Sequence, residues 1–349
     1  MLDARRGDAE GHDAAIDLTA MKRLVAFLLA LFMTSLASAQ PSLQGGGEWI
    51  NSPPLTLAGL RGKVVLVDFW TYSCINCQRT LPYLRAWSQK YGPQGLVVIG
   101  VHAPEFGFER DVKRVRQAAM DGRLDYPIVL DNDFSIWRAF NNQAWPALYF
   151  LDAQGRVRHQ QFGEGDYDRA EHVIRELLRE AGKAPDAGMA QVVASGVGAT
   201  PDLSNVRSPE TYLGHAHGAA RGILPDRVKR YGGGSPRLNE WLLSGDWTVK
   251  AEYAELSDGG GGVALRFHAR DLHLVLGPGT EGKPLAFRIT VDGKPPGSDA
   301  GVDVDAEGRG VVNGDRLYQL VRQRGPVKER TFEIRFDKPG ARAYAFTFG

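Results

Sequence analysis

The 349-residue chain carries 42 Lys and Arg residues against 41 Asp and Glu residues, a formal net charge of +1. A charge so close to zero gives no field that would attract nucleic acid or an anionic membrane, so neither is expected as a partner. The composition, 43% hydrophobic and 24% charged, is that of a globular protein. The length predicts two domains, because single cores rarely grow beyond about 250–300 residues.

The N-terminal region has the pattern of an export signal. Lys22 and Arg23 precede an apolar run over 24–36, which ends at Ala37-Ser38-Ala39. A basic start, an apolar stretch and a small-x-small site predict a signal peptide over 21–39, cleaved after Ala39, and hence a periplasmic or other extracytoplasmic location. The apolar run is shorter than the roughly 20 residues that span a bilayer, and an uncleaved anchor is the alternative. We interpret residues 1–20 as an extension upstream of the true start.

Residues 40–182 alternate between strand and helix patterns, which predicts an α/β domain. The apolar, β-branched run KVVLVDFW over 63–70 predicts a buried strand, and helical spacing of apolar residues follows it. Further strands are predicted over 96–101 and 126–130, helices over 78–91, 109–120, 133–140 and 167–181, and a hairpin over 147–152 and 156–161.

Residues 183–207 are rich in Gly, Ala, Pro and Ser, and we interpret them as a linker. Beyond the linker, residues 208–349 show short alternating patterns without helices, which predicts a β-sandwich of jelly-roll type. Strands are predicted within 247–253, 272–276, 287–291, 332–336 and 344–348, and turns at 259–262, 292–293, 313–314 and 339–340.

The chain has two cysteines, Cys74 and Cys77, separated by two residues. A disulfide between them closes so small a loop that it adds little stability, which argues against a purely structural role. A structural zinc site needs four ligands, and there is no second pair of cysteines, so no metal or other cofactor is expected. Redox chemistry is the use that remains for the pair.

The position of the pair, between a buried strand and a helix, predicts a role for each thiol. The first thiol lies at the helix N-terminus, where free N–H groups and the helix dipole favour a thiolate. Cys74 is therefore the predicted nucleophile. Cys77, one turn further, is the predicted resolving thiol, and the two form a redox-active disulfide.

The residues around this pair resemble the TlpA-like branch of the thioredoxin superfamily. The similarity runs through LRGKVVLVDFWTYSCINCQRTLPYL (60–84), PEFGFE (104–109), NQAWPALYFLD (142–152), SPETYLG (208–214) and AYAFTFG (343–349). It is specifically similar to the C-terminal periplasmic part of DipZ-type proteins. That resemblance implies a thioredoxin fold followed by a carbohydrate-binding-module-like domain. It also implies a protein-disulfide oxidoreductase that reduces or isomerises disulfides of exported proteins.

The resemblance also implies supporting residues. Asp68 matches the buried acid of thioredoxins, which exchanges a proton with the resolving thiol; the alternative is that Asp68 only hydrogen-bonds the strand end. Pro146 matches the family's cis-proline, and the backbone of Trp145 would face a bound substrate. Glu105 is either a modulator of Cys74 or a solvated loop acid. The chain departs from thioredoxin at Ser73 and between the cysteines, so the reduction potential does not carry over.

Two other functions remain open. Thr71-Tyr72-Ser73-Cys74 fits the TxxC half of the peroxiredoxin signature, although Val67 stands where that signature has proline. A thiol-dependent peroxidase is therefore one alternative, and a binding protein with a structural disulfide is the other. If the chain is a reductant, the resemblance implies a separate membrane electron donor of the CcdA or DsbD type.

The ligand of the second domain is expected to be a carbohydrate or a partner protein. Trp241, Trp247 and Tyr253 are the aromatic candidates for sugar stacking, but the alternation around Trp247 and Tyr253 favours core positions for those two. The pairs His215/His217 and Asp303/Asp305 supply too few ligands for a metal site.

Overall fold

A computed structural model of the chain describes residues 41–218, 222–279 and 282–349. The predicted extension and signal peptide lie outside these residues. The described part contains a six-stranded mixed sheet followed by a ten-stranded antiparallel sheet. The predicted fold class, a thioredoxin-like α/β part followed by an all-β part, is confirmed.

The first sheet has the order β1-β4-β3-β2-β5-β6. The central strand β2 is buried along its whole length, as its unbroken apolar run predicts. It pairs in parallel with β3 and antiparallel with β5. The residues that follow β2 therefore lie at the C-terminal end of a central strand. The strands are β1 (Trp49–Ile50), β2 (Val64–Trp70), β3 (Leu96–His102), β4 (Ile128–Leu130), β5 (Ala147–Leu151) and β6 (Val157–Phe162).

Four α-helices are described: α1 (Ile75–Tyr91), α2 (Val112–Asp121), α3 (Ser135–Ala139) and α4 (Tyr167–Glu180). Apolar residues of α1, α2 and α4 pack on one face of the sheet, and α3 packs on the other. Within the described residues, no helix is long and apolar enough to cross a membrane. The predicted helix over 109–120 begins instead with a 3-10 turn at Gly107–Arg110.

The strands of the second sheet are β7 (Thr211–Tyr212), β8 (Val228–Gly232), β9 (Trp241–Val249), β10 (Ala254–Phe267), β11 (Asp271–Gly277), β12 (Leu285–Val291), β13 (Arg309–Val312), β14 (Arg316–Arg322), β15 (Arg330–Phe336) and β16 (Arg342–Phe348). Their order is β13-β12-β15-β10-β16-β11-β14; in addition, β7 pairs with β16, β9 pairs with β10, and β8 pairs with β9. No sequence pattern predicted β7, β8, β10, β13 or β14.

The predicted turn at 259–262 is wrong, because these glycines lie inside β10. The strand bends there and changes partner: Ala254 pairs with Ala343, whereas Gly261 pairs with Phe336. A Cβ on Gly261 would lie 2.5 Å from the Leu256 side chain, so close approach of the chain requires glycine. The predicted single strand over 247–253 is also wrong, since β9 ends at Val249 and β10 starts at Ala254.

The segment interpreted as a linker first lies against α4 and the C-terminal end of α1, where Lys90 donates to the Gly188 carbonyl at 2.8 Å. Arg175 of α4 donates to the carbonyls of Asp186 and Gly188 at 2.7 and 2.6 Å. Further on, the Ala190 N–H donates to Glu171 at 2.5 Å. The segment then reaches the N-terminal half of α1, where Gly198 lies against Gln78 and Pro82. It therefore runs antiparallel to α1 towards the cysteines.

We expect Glu171→Ala to lower the free energy of unfolding by about 3 kcal/mol, because it leaves several buried donors without an acceptor. The carboxylate accepts from Trp87 Nε1 at 2.9 Å, Tyr91 OH at 2.5 Å and the Ala190 N–H. Urea unfolding measures the loss, and limited proteolysis should show faster cleavage in the connecting segment. The exposed Glu176→Ala on the same helix is the control, with a change within about 0.5 kcal/mol. Equal losses in both variants would contradict the role of Glu171.

Candidate active site

The two cysteines lie where β2 gives way to α1. Cys74 is the N-cap of α1 with extended backbone angles, φ −80° and ψ 119°. Its Sγ accepts a hydrogen bond from the Cys77 N–H at 3.3 Å. Cys74 is half-buried, Cys77 is 1% exposed, and both are free thiols. The helix N-terminus therefore points a donor at the more accessible sulfur.

Cys77 lies in surroundings that keep its thiol protonated. Burial raises the pKa of Cys77 well above its usual value, and the neighbouring Cys74 sulfur and the Asp68 carboxyl add to the rise. A thiol of this kind reacts only after a nearby group has taken its proton. The structure places one such group, Asp68, among the charges that act on it.

Asp68 is a buried acid without hydrogen-bond partners. It lies in β2, 1% exposed, and neither carboxyl oxygen has a partner among the described residues. Burial raises its pKa to about 8. Its register partner on β3 is Gly100, whose missing side chain leaves room for the Trp70 and Tyr126 rings. Because neither carboxyl oxygen has a hydrogen-bond partner among the described residues, the predicted alternative, a hydrogen bond from Asp68 to the strand end, is wrong.

The Trp145–Pro146 peptide bond is cis, as the resemblance implied. Pro146 precedes β5, and its carbonyl accepts from the Gly163 N–H at 2.8 Å. The Trp145 indole donates to the Ala103 carbonyl at 3.1 Å and packs on Trp137 at 4.4 Å between ring centroids. Trp145 is thereby fixed next to the cluster that contains Cys74.

Glu105 faces the second domain. Its carboxyl accepts a hydrogen bond from the Tyr212 hydroxyl of β7. Burial, and then the charge of Glu210, raise its pKa to about 8. The predicted alternative of a solvated loop acid is wrong for this reason, and a role as modulator of Cys74 stays a prediction.

The acid that contacts the segment before Cys74 is Glu109, which the sequence analysis missed. Glu109 is fully buried and accepts from the Ser73 N–H at 3.2 Å and from the Ser73 hydroxyl at 2.6 Å. It also accepts from the N–H groups of Glu105 at 2.6 Å and Phe106 at 3.0 Å. A signal existed in the sequence: an acid three residues after Phe106 can close back on the first N–H groups of a helical turn.

The second domain covers one flank of the cysteine pair. Ile75, the residue after Cys74, is 2% exposed and packs in a cluster with Phe106 and with residues of β11, β14 and β16, among them Tyr344. Arg114 of α2 forms an ion pair with Asp315 beside this cluster. A pocket of about 690 Å³ lies next to it, lined by residues of α1 and α2, of the connecting segment and of the second domain.

Comparisons with known proteins agree with this geometry. Residues 208–349 match the family described as "Thioredoxin like C-terminal domain", and residues 47–160 match the AhpC/TSA family. Protein DipZ of Mycobacterium tuberculosis is 37% identical over 328 residues, which cover 88% of this chain and 42% of DipZ. Thiol-disulfide oxidoreductase YkuV of Bacillus subtilis is 30% identical over 145 residues, which cover 42% of this chain and 97% of YkuV.

The chain belongs to the TlpA-like family of thioredoxin-fold proteins. The predicted family is thereby confirmed, and the chain spans less than half the length of DipZ. Among solved structures, the solution structure of a thioredoxin-like protein in the oxidized form is 30% identical, with a TM-score of 0.38. The match covers 42% of this chain and 99% of that one.

The aromatic candidates for sugar binding are not exposed. Trp241 is 8% exposed and Trp247 is fully buried, both in the core of the second sheet. The core interpretation of Trp247 is confirmed, and Trp241 as a sugar-stacking residue is wrong. Tyr253 lies under Arg342 at 4.9 Å and against Tyr344 at 5.1 Å.

The candidate metal residues are engaged elsewhere. His215 Nε2 lies 3.0 Å from Asp226, whereas His217 stacks on Tyr212 at 3.9 Å. Asp303 is paired with Arg316 at 2.8 Å. In the part of the chain that the structure describes, no group of three ligating side chains could hold a metal ion.

We expect Asp68→Asn to become more stable relative to wild type as pH rises from 5 to 8. Between its usual pKa of 3.8 and about 8, Asp68 holds a proton in the folded chain but not in the unfolded chain. Its contribution to stability is therefore complete below the lower value and is lost as pH approaches the upper one. The free energy of unfolding of Asp68→Asn relative to wild type should grow by up to about 1.4 kcal/mol per pH unit, as measured by urea unfolding of the reduced chains.

The control is Asp152→Asn, in the turn between β5 and β6. Burial opposes ionisation of Asp152, but hydrogen bonds from Arg156 outweigh it and hold the pKa below its usual value. Asp152 is ionised in both the folded and the unfolded chain between pH 5 and 8. The difference in the free energy of unfolding between Asp152→Asn and wild type should therefore stay constant over this range. A flat profile for Asp68→Asn as well would show that Asp68 is already charged when folded.

Proposed function

We propose that the chain is an exported thiol-disulfide oxidoreductase that reduces or isomerises disulfides of exported proteins. The observation that carries the proposal is the pair itself. Cys74 caps α1 and accepts the Cys77 N–H, while Cys77 lies buried beside the unpartnered Asp68. The name of YkuV, a relative that the chain covers almost completely, supports the same activity.

The first step is attack by the Cys74 thiolate on one sulfur of a client disulfide. A bond forms between Cys74 and that sulfur, and the other client sulfur leaves as a thiolate. The Cys77 N–H stabilises the attacking thiolate before the step, since its hydrogen bond is stronger to a charged sulfur.

The second step resolves the mixed disulfide. Cys77 gives its proton to the Asp68 carboxylate, and its sulfur attacks Cys74 Sγ. The bond between Cys74 and the client breaks, and the client sulfur leaves as a second thiolate. The client gains two electrons, and the chain ends with a Cys74–Cys77 disulfide. A pKa of about 8 lets Asp68 take and release this proton near neutral pH.

A catalytic cycle then needs two electrons from elsewhere, because the exported compartment is kept oxidised. We propose that a separate membrane protein of the CcdA or DsbD type supplies them. The pattern over 21–39 supports export. The second domain is proposed to bind a protein or carbohydrate ligand next to the redox site.

A thiol-dependent peroxidase is the second candidate, and the match of residues 47–160 to the AhpC/TSA family favours it. In that reaction Cys74 would attack a peroxide and become a sulfenic acid, with release of an alcohol or water. Thr71 of the TxxC pattern is buried, with its hydroxyl 3.4 Å from the His102 ring. A resolving thiol one turn away, already bonded to Cys74 through its N–H, favours disulfide exchange.

Cys77→Ser should trap mixed disulfides between Cys74 and client proteins, because the second step is blocked while the first is kept. Non-reducing gels and mass spectrometry of the full chain, incubated with a reducible protein such as insulin, measure the adduct. Cys74→Ser is the matched control and should trap none. Fast turnover of hydrogen peroxide by Cys77→Ser, without any adduct, would support the peroxidase instead.

Clients should approach from the flank that the second domain leaves open. Phe162, at the end of β6, is 49% exposed and pairs with Ala147, the residue after Pro146. We expect Phe162→Asp to lower kcat/KM for a protein disulfide by about tenfold or more, since it removes an apolar contact and its side-chain burial. The rate with a small disulfide should stay within about twofold, because only the client contact is lost.

Val311→Asp is the control for this variant. Val311 is 48% exposed, but it lies in β13, at the end of the second sheet away from the strands that contact Ile75. It should leave both rates unchanged. If both variants lose activity with the protein disulfide, or if neither does, clients do not bind at Phe162.

A further inference from the structure

The second domain holds the loop that contains Glu109. Phe106 and Phe108 pack on Tyr344 of β16, with ring centroids 5.2 and 4.9 Å apart. The Gly107 N–H donates to Glu252 at 2.9 Å, and Glu105 accepts from Tyr212. Four consecutive residues, 105–108, are thus attached to the second sheet or to the segment before β10. The loop position therefore depends on the docked second domain.

Glu109 connects this loop to the residue before the nucleophile. Its Oε2 accepts from the N–H groups of Glu105 and Phe106, and its Oε1 accepts from both the N–H and the hydroxyl of Ser73. All four partners are donors, so the arrangement uses the carboxylate purely as an acceptor. Such hydrogen bonds to an ionised oxygen are among the strongest in a protein interior.

The residue on the other side of Cys74 is fixed by the same domain. Ile75 packs with Val275, Leu317 and Tyr344 of the second sheet. Cys74 therefore lies between Ser73, held through Glu109, and Ile75, held directly. Tyr344 of β16 takes part in both attachments, because it contacts the loop that contains Glu109 and belongs to the cluster around Ile75.

We propose that Glu109 is a positioning residue: through Ser73 it fixes Cys74 at the tip of α1, and it thereby makes the docked second domain part of the redox site. Glu109 is fully buried, so it acts on Cys74 through Ser73 and not through contact with the client. The consequence for disulfide exchange rests on the proposed function, whereas the effect on the Cys74 thiol does not.

The test measures the rate at which iodoacetamide alkylates Cys74 in the reduced full chain, well below the unfolding temperature. Glu109→Gln and Ser73→Ala should each slow the reaction by about tenfold, since small displacements of a reacting group have effects of this size. The double variant should be no slower than the slower single variant, because both act through one contact. Ser73→Ala removes only the hydroxyl contact, so it remains informative if Glu109→Gln folds poorly.

Asp152→Asn is the matched control, since Asp152 is also a buried acid that accepts two backbone N–H groups, at 3.0 and 2.9 Å. It should reduce stability without changing the alkylation rate. Independent, multiplying effects of Glu109→Gln and Ser73→Ala would overturn the proposal. So would an unchanged alkylation rate in both. Failure of wild type to reduce insulin, with the expected alkylation rates, would overturn the proposed function and leave the positioning role intact.

A second measurement tests the link to the second domain. Glu252→Ala removes the carboxylate that accepts from the Gly107 N–H, and Glu252 is not part of the cluster around Ile75. It should slow alkylation several-fold in the wild-type background and much less in the Glu109→Gln background, because the attachment is already lost there. An equal reduction in both backgrounds would show that the second domain acts on Cys74 without Glu109.

Discussion

The proposed proton transfer at the redox site depends on a carboxyl group that is buried without a hydrogen-bond partner among the described residues. Removing an acid from water costs several kcal/mol unless donors replace the lost hydration, and Asp68 has none among the described residues. The fold meets this cost by keeping Asp68 protonated over much of the pH range, with a pKa of about 8. Functional acids are often buried at a cost in free energy and have a pKa near neutral pH. A position close to a thiol that needs to lose a proton fits the same pattern.

The second constraint is the way the rest of the chain surrounds the tip of α1. Ile75, the residue after the first cysteine, is 2% exposed. The second sheet covers it directly, and the connecting segment covers the adjoining face of α1 at Gln78 and Pro82. The site therefore has one closed flank and one open flank. A covered flank excludes bulky partners from that side, so the second domain restricts how a folded client can approach.

Sequence patterns predicted those features that local spacing determines. The apolar run of β2, the helix that follows and the position of the two cysteines all depend on neighbours in the chain, whereas the cis bond before Pro146 was implied only by the family resemblance. The glycines of β10 were misassigned, because glycine marks a turn and a close chain approach equally well, and only the position of Leu256 distinguishes them. Trp241 was misassigned as well, since alternation does not reveal which face of an antiparallel sheet is covered. The partner of Glu105 is 107 residues away, beyond the reach of any local pattern.

Buried acids in this chain show why burial alone does not define a role. Asp68 and Glu109 are both almost inaccessible, yet one has no donors and the other has four. Burial raises the pKa of Glu109, and its donors oppose this rise by stabilising the charged form, so this carboxyl group serves as an acceptor that holds two segments together. Asp68 has no such donors, and burial raises its pKa to about 8, which suits the proton exchange with Cys77 that we propose. The number of hydrogen-bond donors around a buried acid therefore distinguishes a structural acid from one suited to proton exchange. Those donors come from strands and loops that only the folded chain brings together.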